Sequence, residues 1–416
     1  MLVSFSAKNY KSFYDEVALD MRIEVNDSNR EEIENNPFVY KINDDYISKL
    51  CILYGHNGSG KSNLLNAISY LTNINIYHDA PINYKYLFLP NMIYGKDENT
   101  EFILEFYYKN NLYHYKIILD NKNKKIEYEL LKENENIVFE RNNSNIINGN
   151  NFFINIKGIP NQITVISYCY IVDDYRKEIN YYIDAFVNNF FSYMFTNFSD
   201  ALFIDIDNIY SLLKNSGLWN IYRKLISLAD VGIDDIKVIE NTDYKENNGY
   251  ISNYLRKNKY RLISIHKDYE DDFRKIESDG TKNYAINLFS MLGSLRNGIL
   301  SVLDEFQGVQ SELLELVISL FQKNMFEDLN NPTSQLILST HDTNLMCLKN
   351  TLLNHYWFLN KEDNKSELYC ASDFEDLKRE DLEKEYKRNS LKAKYNSRLF
   401  EIPSKFFIKD NENNEQ

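Results

Sequence analysis

Hydrophobic and polar positions alternate along several stretches of the chain, and this period of two predicts β-strands. Residues 2–6 and 16–22 alternate in this way near the beginning of the sequence. From about residue 100 to 158 the alternation recurs in segments such as 102–108 and 113–119, separated by turns rich in Asn and Asp. Short alternating strands joined by tight turns are typical of an antiparallel sheet.

A second class of segment is five or six residues long and contains three to five apolar residues without regular alternation. Residues 50–54, 299–303 and 335–340 have this pattern. Such runs predict strands that are buried on both faces, as in a parallel sheet covered by helices. Residues 163–172 are also apolar, but periodicity alone leaves a strand and the start of a buried helix equally open.

Helical spacing of apolar residues follows these runs. The segment after the first run begins a helix at 63–68, and residues 175–230 repeat aromatic residues at spacings of three and four. A further amphipathic helix follows residue 282 and is predicted to end at Gly298. Other segments predict a hairpin (236–240 with 260–265) and irregular structure (24–48 and 74–98).

Composition limits the class of protein. The 416 residues are 44% hydrophobic, which supports a sizeable core, and carry a net charge of −14, which argues against general DNA coating. No apolar run approaches the ~20 residues of a membrane span, and there is no signal-peptide pattern. The four cysteines (Cys51, Cys169, Cys347, Cys370) form no CxxC pair, so we expect buried free thiols in a cytoplasmic protein.

A complete G-x-x-x-x-G-K-[ST] motif lies between the first apolar run and its helix. Backbone N–H groups of such a loop surround phosphates, and the helix N-terminus adds positive potential. Lys61 is expected to reach the β- and γ-phosphates of ATP, and Ser62 to ligate Mg²⁺. The predicted nucleotide-binding residues of the loop are Gly55, Asn57, Gly58, Ser59, Gly60, Lys61 and Ser62.

Two carboxylates follow the second apolar run. Asp304 is predicted to hold Mg²⁺ through water, and Glu305 to polarise the attacking water. The alternative is a strand with a solvated acidic end. The interval from Lys61 to Asp304 (304 − 61 = 243 residues) allows a large insertion, which is ordinary for ABC-type ATPases and unusual for a GTPase.

Two further motifs complete the series. Ser278 and Gly280, with Lys282, precede the amphipathic helix and are predicted to bind the ATP held by a second subunit; the alternative is a plain helix cap. His341 ends the third apolar run and is predicted to contact the γ-phosphate and help hold Glu305, although a lone histidine at a strand end is more often structural.

This order of motifs indicates an α/β fold of the ABC-type ATPase head, like those of SMC and RecF proteins. We expect residues 1–164 to form its N-terminal part with the antiparallel sheet, and 236–409 its C-terminal part. Residues 165–235 are expected to be a short helical insertion that serves as a dimer or partner surface, and 410–416 a disordered tail.

The chain also resembles a family of stand-alone bacterial AAA-type ATPases with ABC heads, the RloA/AriA/AbiL-like group. The resemblance rests on residues 5–13 (FSAKNYKSF), 225–233 (LISLADVGI), 277–282 (ESDGTK), 339–345 (STHDTNL) and 366–374 (SELYCASDF). It departs from the family in 306–312, where a small residue and "LHP" are usual, and in the degraded segment 397–403. A Q-loop glutamine is not evident beyond the weak candidate Gln162.

Membership would imply ATP-dependent homodimers or larger assemblies, ATP and Mg²⁺ as cofactors, and a role in anti-phage defence. It would also imply an operon-encoded effector, such as a TOPRIM-type nuclease, under the control of the ATPase. The alternative function is a RecF- or SMC-like DNA-repair ATPase that acts directly on DNA, and a weaker third is the ATPase subunit of a membrane transporter.

Two other surface features have less specific interpretations. A basic strip within 387–398 could contact nucleic acid or an acidic partner, although a solvated helix face explains it as well. The aromatic segment 181–198 lacks interleaved Arg or Lys, so we predict core or a subunit interface there rather than a base-stacking surface.

Overall fold

The computed structural model describes residues 1–75, 87–190, 210, 213–215, 217–229, 232–240, 259–305, 310–322, 332–388 and 390–391. Within these residues the chain forms a mixed α/β structure in which two large sheets enclose one helix. The tail 410–416 and most of the atypical segment 306–312 lie outside the described residues, so the predictions made for them stay untested.

The strands in chain order are β1 (Leu2–Lys8), β2 (Val17–Asp20), β3 (Val39–Ile42), β4 (Asp45–Ser48), β5 (Leu50–Gly55), β6 (Thr100–Tyr108), β7 (Asn111–Asp120), β8 (Lys125–Glu133), β9 (Asn136–Asn142), β10 (Asn145–Gly149), β11 (Asp235–Glu240), β12 (Tyr260–His266), β13 (Tyr269–Asp272), β14 (Leu300–Leu303), β15 (Gln335–Ser339), β16 (Tyr356–Glu362) and β17 (Lys365–Cys370). The helices are α1 (Arg30–Asn35), α2 (Lys61–Asn73), α3 (Val165–Ile171), α4 (Arg176–Phe190), α5 (Trp219–Ala229), α6 (Phe273–Ile276), α7 (Asp279–Asn297), α8 (Ser311–Ser319) and α9 (Leu382–Lys387).

The first large sheet is antiparallel and has the order β10-β9-β8-β7-β6-β1-β2. Its central strands, such as β6 and β7, bury alternate residues, which is why their sequences alternate between apolar and polar. This confirms the antiparallel sheet predicted between residues 100 and 158, and shows that the first two predicted strands extend the same sheet.

The second large sheet has the order β14-β15-β5-β16-β17. The first four strands run parallel, and β17 returns antiparallel to β16. Every residue of β5, β14 and β15 is buried, as their apolar-rich sequences predicted, and this includes the polar residues Ser301, Gln335 and Ser339. Because these three strands are neighbours and parallel, their carboxyl ends meet at one edge of the sheet.

Helix α2 lies between the two sheets. Its Leu64 belongs to one core with Phe102 of the antiparallel sheet and Leu53 of the parallel sheet. The opposite face of the parallel sheet, represented by Ile52, packs in a separate core with Leu288 of α7. Alternate residues of β5 therefore serve two cores, so the loop 55–62 that follows β5, here called the phosphate loop after its predicted role, is held from both faces of the sheet.

Two predictions about the N-terminal half need correction or completion. Residues 24–48 are not simply a loop, because α1, β3 and β4 form within them around the small core of Ile33, Val39 and Tyr46. Residues 163–172 contain helix α3 rather than a strand. Thr164 decides this locally, since its side chain caps the helix by accepting a hydrogen bond from the Ser167 N–H.

The other helical and hairpin predictions agree with the structure where it describes them. β11 and β12 pair as an antiparallel hairpin, and β13 adds a third strand. Helices α4 and α5 occupy the described parts of 175–230, and Phe186 of the aromatic segment lies in the core. Among the described residues, no helix has the length and apolar character needed to span a membrane.

The structure also tests the predictions made for the cysteines and for the basic strip. Cys51, Cys169 and Cys370 are buried free thiols, but Cys347 is exposed, because it lies in a surface turn after β15. Of the basic strip, the described Lys387 pairs with Glu383, and Arg388 pairs with Glu385. These contacts within one helix favour the solvated helix face over a nucleic-acid surface for this part of the strip.

Candidate functional site

The phosphate loop connects the carboxyl end of β5 to the first turn of α2, as the sequence predicted. Gly58 and Gly60 have φ of +80° and +114°, in the left-handed region that glycine favours. A Cβ atom on Gly60 would lie 2.9 Å from the hydroxyls of Ser12 and Ser366. The bend of the loop and its close approach to neighbouring chain therefore both require glycine at this position.

The remaining loop residues divide into a buried and an exposed set. Gly55 and Ser59 are buried, and a Cβ on Gly55 would lie 2.5 Å from the Ser59 hydroxyl. Asn57, Gly58 and Ser62 are exposed. The loop thus presents its backbone and the Ser62 hydroxyl outward while the inner residues hold its curvature.

Lys61 is the side chain at the centre of the site. Only 4% of its surface is exposed, and its ammonium donates to the carbonyl oxygen of Gly55 at 2.8 Å. Its Nζ also lies 3.2 Å from His341 Nε2 and 3.9 Å from Glu305 Oε1. Burial lowers the pKa of Lys61, while the carboxylates of Glu305 and Asp304 oppose that shift.

The carboxylates at the end of β14 are tied to β15 by a hydroxyl. Ser339 Oγ donates to Asp304 Oδ1 at 2.7 Å and accepts from the Glu305 N–H at 2.9 Å. One side chain therefore fixes both predicted acidic residues. Ser339 was not among the residues predicted for the site, although it stands two residues before His341 in the segment that carried the family resemblance.

Glu305 has an unusual backbone conformation. Its φ of +44° is uncommon for a residue with a Cβ. The carboxylate Oε1 lies 3.4 Å from His341 Nε2. Strain of this kind persists where surrounding contacts hold it and is concentrated at functional sites, so the conformation agrees with a catalytic position.

His341 faces both charged groups with the same ring nitrogen. Burial and the Lys61 ammonium lower the pKa of His341, and Glu305 opposes the shift, so the net effect favours the neutral ring. A neutral ring accepts from Lys61 through Nε2 in one tautomer and donates to Glu305 through Nε2 in the other. His341 can therefore exchange its hydrogen bond between the cation and the carboxylate without changing charge.

Two residues that the sequence analysis did not predict for the site, Tyr54 and Arg379, form hydrogen bonds with the segment that carries His341. The hydroxyl of Tyr54, the residue before the phosphate loop, donates to the Asp342 carbonyl at 2.9 Å. The guanidinium of Arg379 donates to the carbonyl oxygens of Leu348 and Thr351, farther along the same segment. These contacts join the histidine segment to β5 and to the C-terminal part of the chain.

The Ser278 segment has its own local contacts. Ser278 is exposed and caps α7, accepting a hydrogen bond from the Thr281 N–H at 3.1 Å. Lys282 lies 3.5 Å from Asp279 in the same turn. The contacts described for Ser278 are those of a helix cap, whereas Lys61, Asp304, Glu305 and His341 come together. The role predicted for Ser278, Gly280 and Lys282 in a partner's site stays a prediction.

The donor set at the loop fits a divalent cation with a preference for oxygen. The exposed Ser62 hydroxyl and the Asp304 carboxylate are both ligands that Mg²⁺ accepts, and Mg²⁺ usually retains several waters beside one or two protein oxygens. Asp304 is oriented by Ser339, as metal-ligating carboxylates commonly are by a neighbouring hydrogen-bond donor. Ser62 and Asp304 would be the residues that hold it.

Comparison with known proteins adds little. No protein-family model matches the chain, and no curated protein matches it. Among solved structures, the chain is similar to the SMC head domain from Thermotoga maritima, with 14% sequence identity and a TM-score of 0.43. The alignment covers 89% of this chain and 98% of that structure. Functional conclusions therefore depend on the side chains of the site itself.

Proposed function

We propose that the chain binds ATP with Mg²⁺ on the loop 55–62 and hydrolyses it. The observation that carries this proposal is the meeting of Lys61, Glu305 and His341 within 3.9 Å at the carboxyl ends of three neighbouring parallel strands. A glycine-rich loop, a buried lysine, two acids and a neutral histidine at one sheet edge form a set suited to phosphoryl transfer to water.

Each residue then has a separate task. Lys61 and the loop N–H groups bind the β- and γ-phosphates, whose charge attracts the ammonium more strongly than the Gly55 carbonyl does. Mg²⁺, when bound by Ser62 and Asp304, neutralises phosphate charge. Glu305 accepts a hydrogen bond from the attacking water and orients it, and His341 holds the Glu305 carboxylate in place through Nε2.

The chain is further proposed to act as a homodimer or larger homo-oligomer with ATP at the interface. Ser278 is exposed at the N-terminus of the 19-residue helix α7, where backbone N–H groups suit an anion. Its local contacts leave this surface facing solvent. A second copy that docks here would place Ser278 and Gly280 against the phosphates held by Lys61 of the first.

The biological role proposed is control of a partner effector, a nuclease or toxin, in anti-phage defence. This part rests on the family resemblance of the sequence motifs alone. A DNA-repair ATPase is the alternative, and it predicts that duplex DNA raises ATP hydrolysis well above the basal rate. Hydrolysis that is indifferent to duplex DNA would instead favour gating by a protein partner.

ATP binding by the Lys61→Ala variant tests the site. Loss of a buried charge-assisted contact to phosphate is expected to weaken ATP affinity by roughly tenfold to a hundredfold. Titration calorimetry of the full chain measures this directly, with Lys157→Ala at an exposed lysine as the matched control. An unchanged affinity in Lys61→Ala would contradict the assignment of the loop.

A further inference from the structure

A fixed turn at the protein surface presents apolar side chains to solvent. In this apolar turn, residues 91–95, Met92 and Ile93 are 65% and 61% exposed. The Asn91 side-chain oxygen accepts from the Ile93 N–H at 3.1 Å, and the Asn9 side-chain oxygen accepts from the Asn91 N–H at 3.1 Å. These hydrogen bonds fix the turn from its base. Large apolar side chains that a fixed turn holds in solvent mark an interaction surface.

The apolar turn lies at the rim of the phosphate loop. Met92 and Ile93 border the same hollow as Ser12 and Asn63. The Ser12 hydroxyl accepts from Asn63 Nδ2 at 2.9 Å, and it would lie 2.9 Å from a Cβ atom on Gly60 of the loop. A protein surface that covers phosphates bound by the loop therefore also reaches the apolar turn.

A second exposed turn lies beside Ser278. This acidic turn, residues 267–271, joins β12 to β13, and its Tyr269 is 58% exposed. The Tyr269 ring stacks on His266, with ring centroids 4.6 Å apart and ring planes at 7°. His266 Nε2 lies 3.0 Å from Oε1 of Glu277, the residue before Ser278. The exposed tyrosine is therefore held next to the N-terminus of α7.

The surroundings of the two turns carry opposite charges. Five lysines, among them the exposed Lys96 and Lys122, line the hollow beside the apolar turn together with Asp97. The acidic turn contains three acids and one lysine, and its Asp268 and Asp271 are exposed. Within the part of the chain that the structure describes, neither these two lysines nor these two aspartates form an ion pair. Opposite charges of this kind steer and orient two surfaces toward each other.

We infer that the apolar turn of one copy docks against the acidic turn of a second copy of this chain. This contact rests on the proposed function, in which Ser278 of one copy reaches the phosphates held by Lys61 of the other. The turn beside Ser278 then meets the turn beside the phosphate loop. Met92 and Ile93 pack against the ring of Tyr269, and the lysines face the aspartates. Two-fold symmetry repeats the contact, so the same surfaces close both ATP sites.

The apolar and the charged parts of this contact act differently. Methionine and tyrosine are enriched at the water-free centres of interfaces, where they supply affinity. The lysines and aspartates favour the arrangement in which unlike turns meet, and they oppose the one that brings two lysine-rich surfaces together. ATP alone therefore does not determine how the two copies meet.

Charge reversal tests the contact in the Glu305→Gln background, where slow hydrolysis preserves the ATP-bound state. Sedimentation velocity of the full chain at saturating Mg²⁺-ATP is expected to show a dimer. Lys96→Glu/Lys122→Glu and Asp268→Lys/Asp271→Lys should each weaken dimerisation by about tenfold or more, because like charges then face each other. An equimolar mixture of these two variants should restore the dimer, since each copy meets opposite charges at both contacts.

Further variants separate the contact from general effects of charge. Lys109→Glu/Lys157→Glu makes the same change of charge at exposed lysines outside both turns and should alter dimerisation by less than about twofold. Tyr269→Ala should weaken dimerisation by about tenfold, because it removes the ring at the centre of the contact. At protein concentrations too low for dimerisation, all of these variants should retain the ATP affinity of the Glu305→Gln chain.

The outcomes distinguish the docking surfaces from the proposed function. Charge-reversed variants that dimerise as well as the Glu305→Gln chain would overturn the two surfaces and leave the ATP-dependent dimer intact. A Glu305→Gln chain that binds ATP but stays monomeric would overturn the dimer itself. A mixture that fails to dimerise would contradict the pairing of the two turns. Weakened ATP affinity of dilute Lys96→Glu/Lys122→Glu would assign these lysines to nucleotide binding and contradict their role in docking.

Discussion

Two ionic clusters of this chain differ in how completely their charges are satisfied. In the antiparallel sheet, Arg141 and Glu129 are both 0% exposed and lie 3.2 Å apart. Arg141 also donates to the carbonyls of Ile163 and Pro160, and Glu129 accepts from the Tyr115 hydroxyl. At the parallel-sheet edge, the contacts among Lys61, Glu305 and His341 range from 3.2 to 3.9 Å.

The two ionic clusters have different roles in the protein. A buried pair with its hydrogen bonds complete fixes one structure, here the joining of the antiparallel sheet to the turn before α3. Long contacts at a partly exposed edge instead leave the charged groups able to take new partners. We therefore expect substitutions in the first cluster to change stability, and substitutions in the second to change ATP chemistry.

The largest expected change in stability comes from Arg141→Leu. It leaves Glu129 buried without its cation, at a cost of about 3–5 kcal/mol in the free energy of unfolding. Urea unfolding measures this, with Lys116→Ala as control, since its half-exposed pair with Glu101 should contribute less than about 1 kcal/mol. Equal losses of unfolding free energy in Arg141→Leu and Lys116→Ala would contradict the proposal that the buried ion pair stabilises the fold more than the partly exposed one. Arg141→Leu/Glu129→Leu should recover much of the loss.

The buried residue His355 makes the stability of the fold depend on pH. His355 is fully buried, accepts from the Leu352 N–H, and has its pKa lowered to about 3 by burial and by Arg379. The lowered pKa favours the neutral ring in the fold. Below the unfolded pKa of about 6.5, the unfolded chain takes up a proton on His355 that the folded chain does not. The free energy of unfolding is therefore highest above pH 6.5 and falls as pH decreases toward 3.

The variant His355→Asn keeps an acceptor but does not titrate. Between pH 7 and 5 the wild type should lose about 2 kcal/mol of unfolding free energy relative to this variant. Between pH 7 and 8 the difference between the two proteins should stay constant. Parallel pH dependence from pH 7 to 5, measured by urea unfolding, would show that His355 is not the group responsible.

A smaller effect, on rate rather than stability, is expected at Ser339. The variant Ser339→Ala removes the hydroxyl that positions both Asp304 and Glu305, and should slow ATP hydrolysis by about tenfold at saturating ATP. Ser301→Ala on β14 is the matched control, because its buried hydroxyl has no partner in the described chain. Loss of ATP affinity with an unchanged maximal rate would place Ser339 in binding rather than in catalysis.

Local sequence patterns predicted much of the fold for physical reasons. Burial on one face produced the alternation in β6 and β7, and burial on both faces produced the apolar-rich sequences of β5, β14 and β15. Local sequence does not determine which strands are neighbours in a sheet. Only the structure therefore showed that the carboxyl ends of β5, β14 and β15 lie side by side. Residues 24–48 were mistaken for a loop because α1, β3 and β4 are short and polar on their outer faces.

The candidate site was predictable to the extent that its residues follow buried strands. Asp304, Glu305 and His341 follow the ends of buried strands and could be found that way, whereas Lys61 was found from the glycine-rich motif that follows β5. Ser339 and Tyr54 support the site from within strands, where a hydroxyl has no distinguishing pattern.

ATP turnover by Glu305→Gln at saturating Mg²⁺-ATP tests the proposed catalytic role of Glu305. Glutamine keeps the shape but not the charge, so the variant should bind ATP and hydrolyse it about a hundredfold or more slowly than the wild type. Glu312→Gln, an exposed change in the first turn of α8, is the control and should be as active as the wild type. Turnover by Glu305→Gln at the wild-type rate would contradict Glu305 as the residue that orients water.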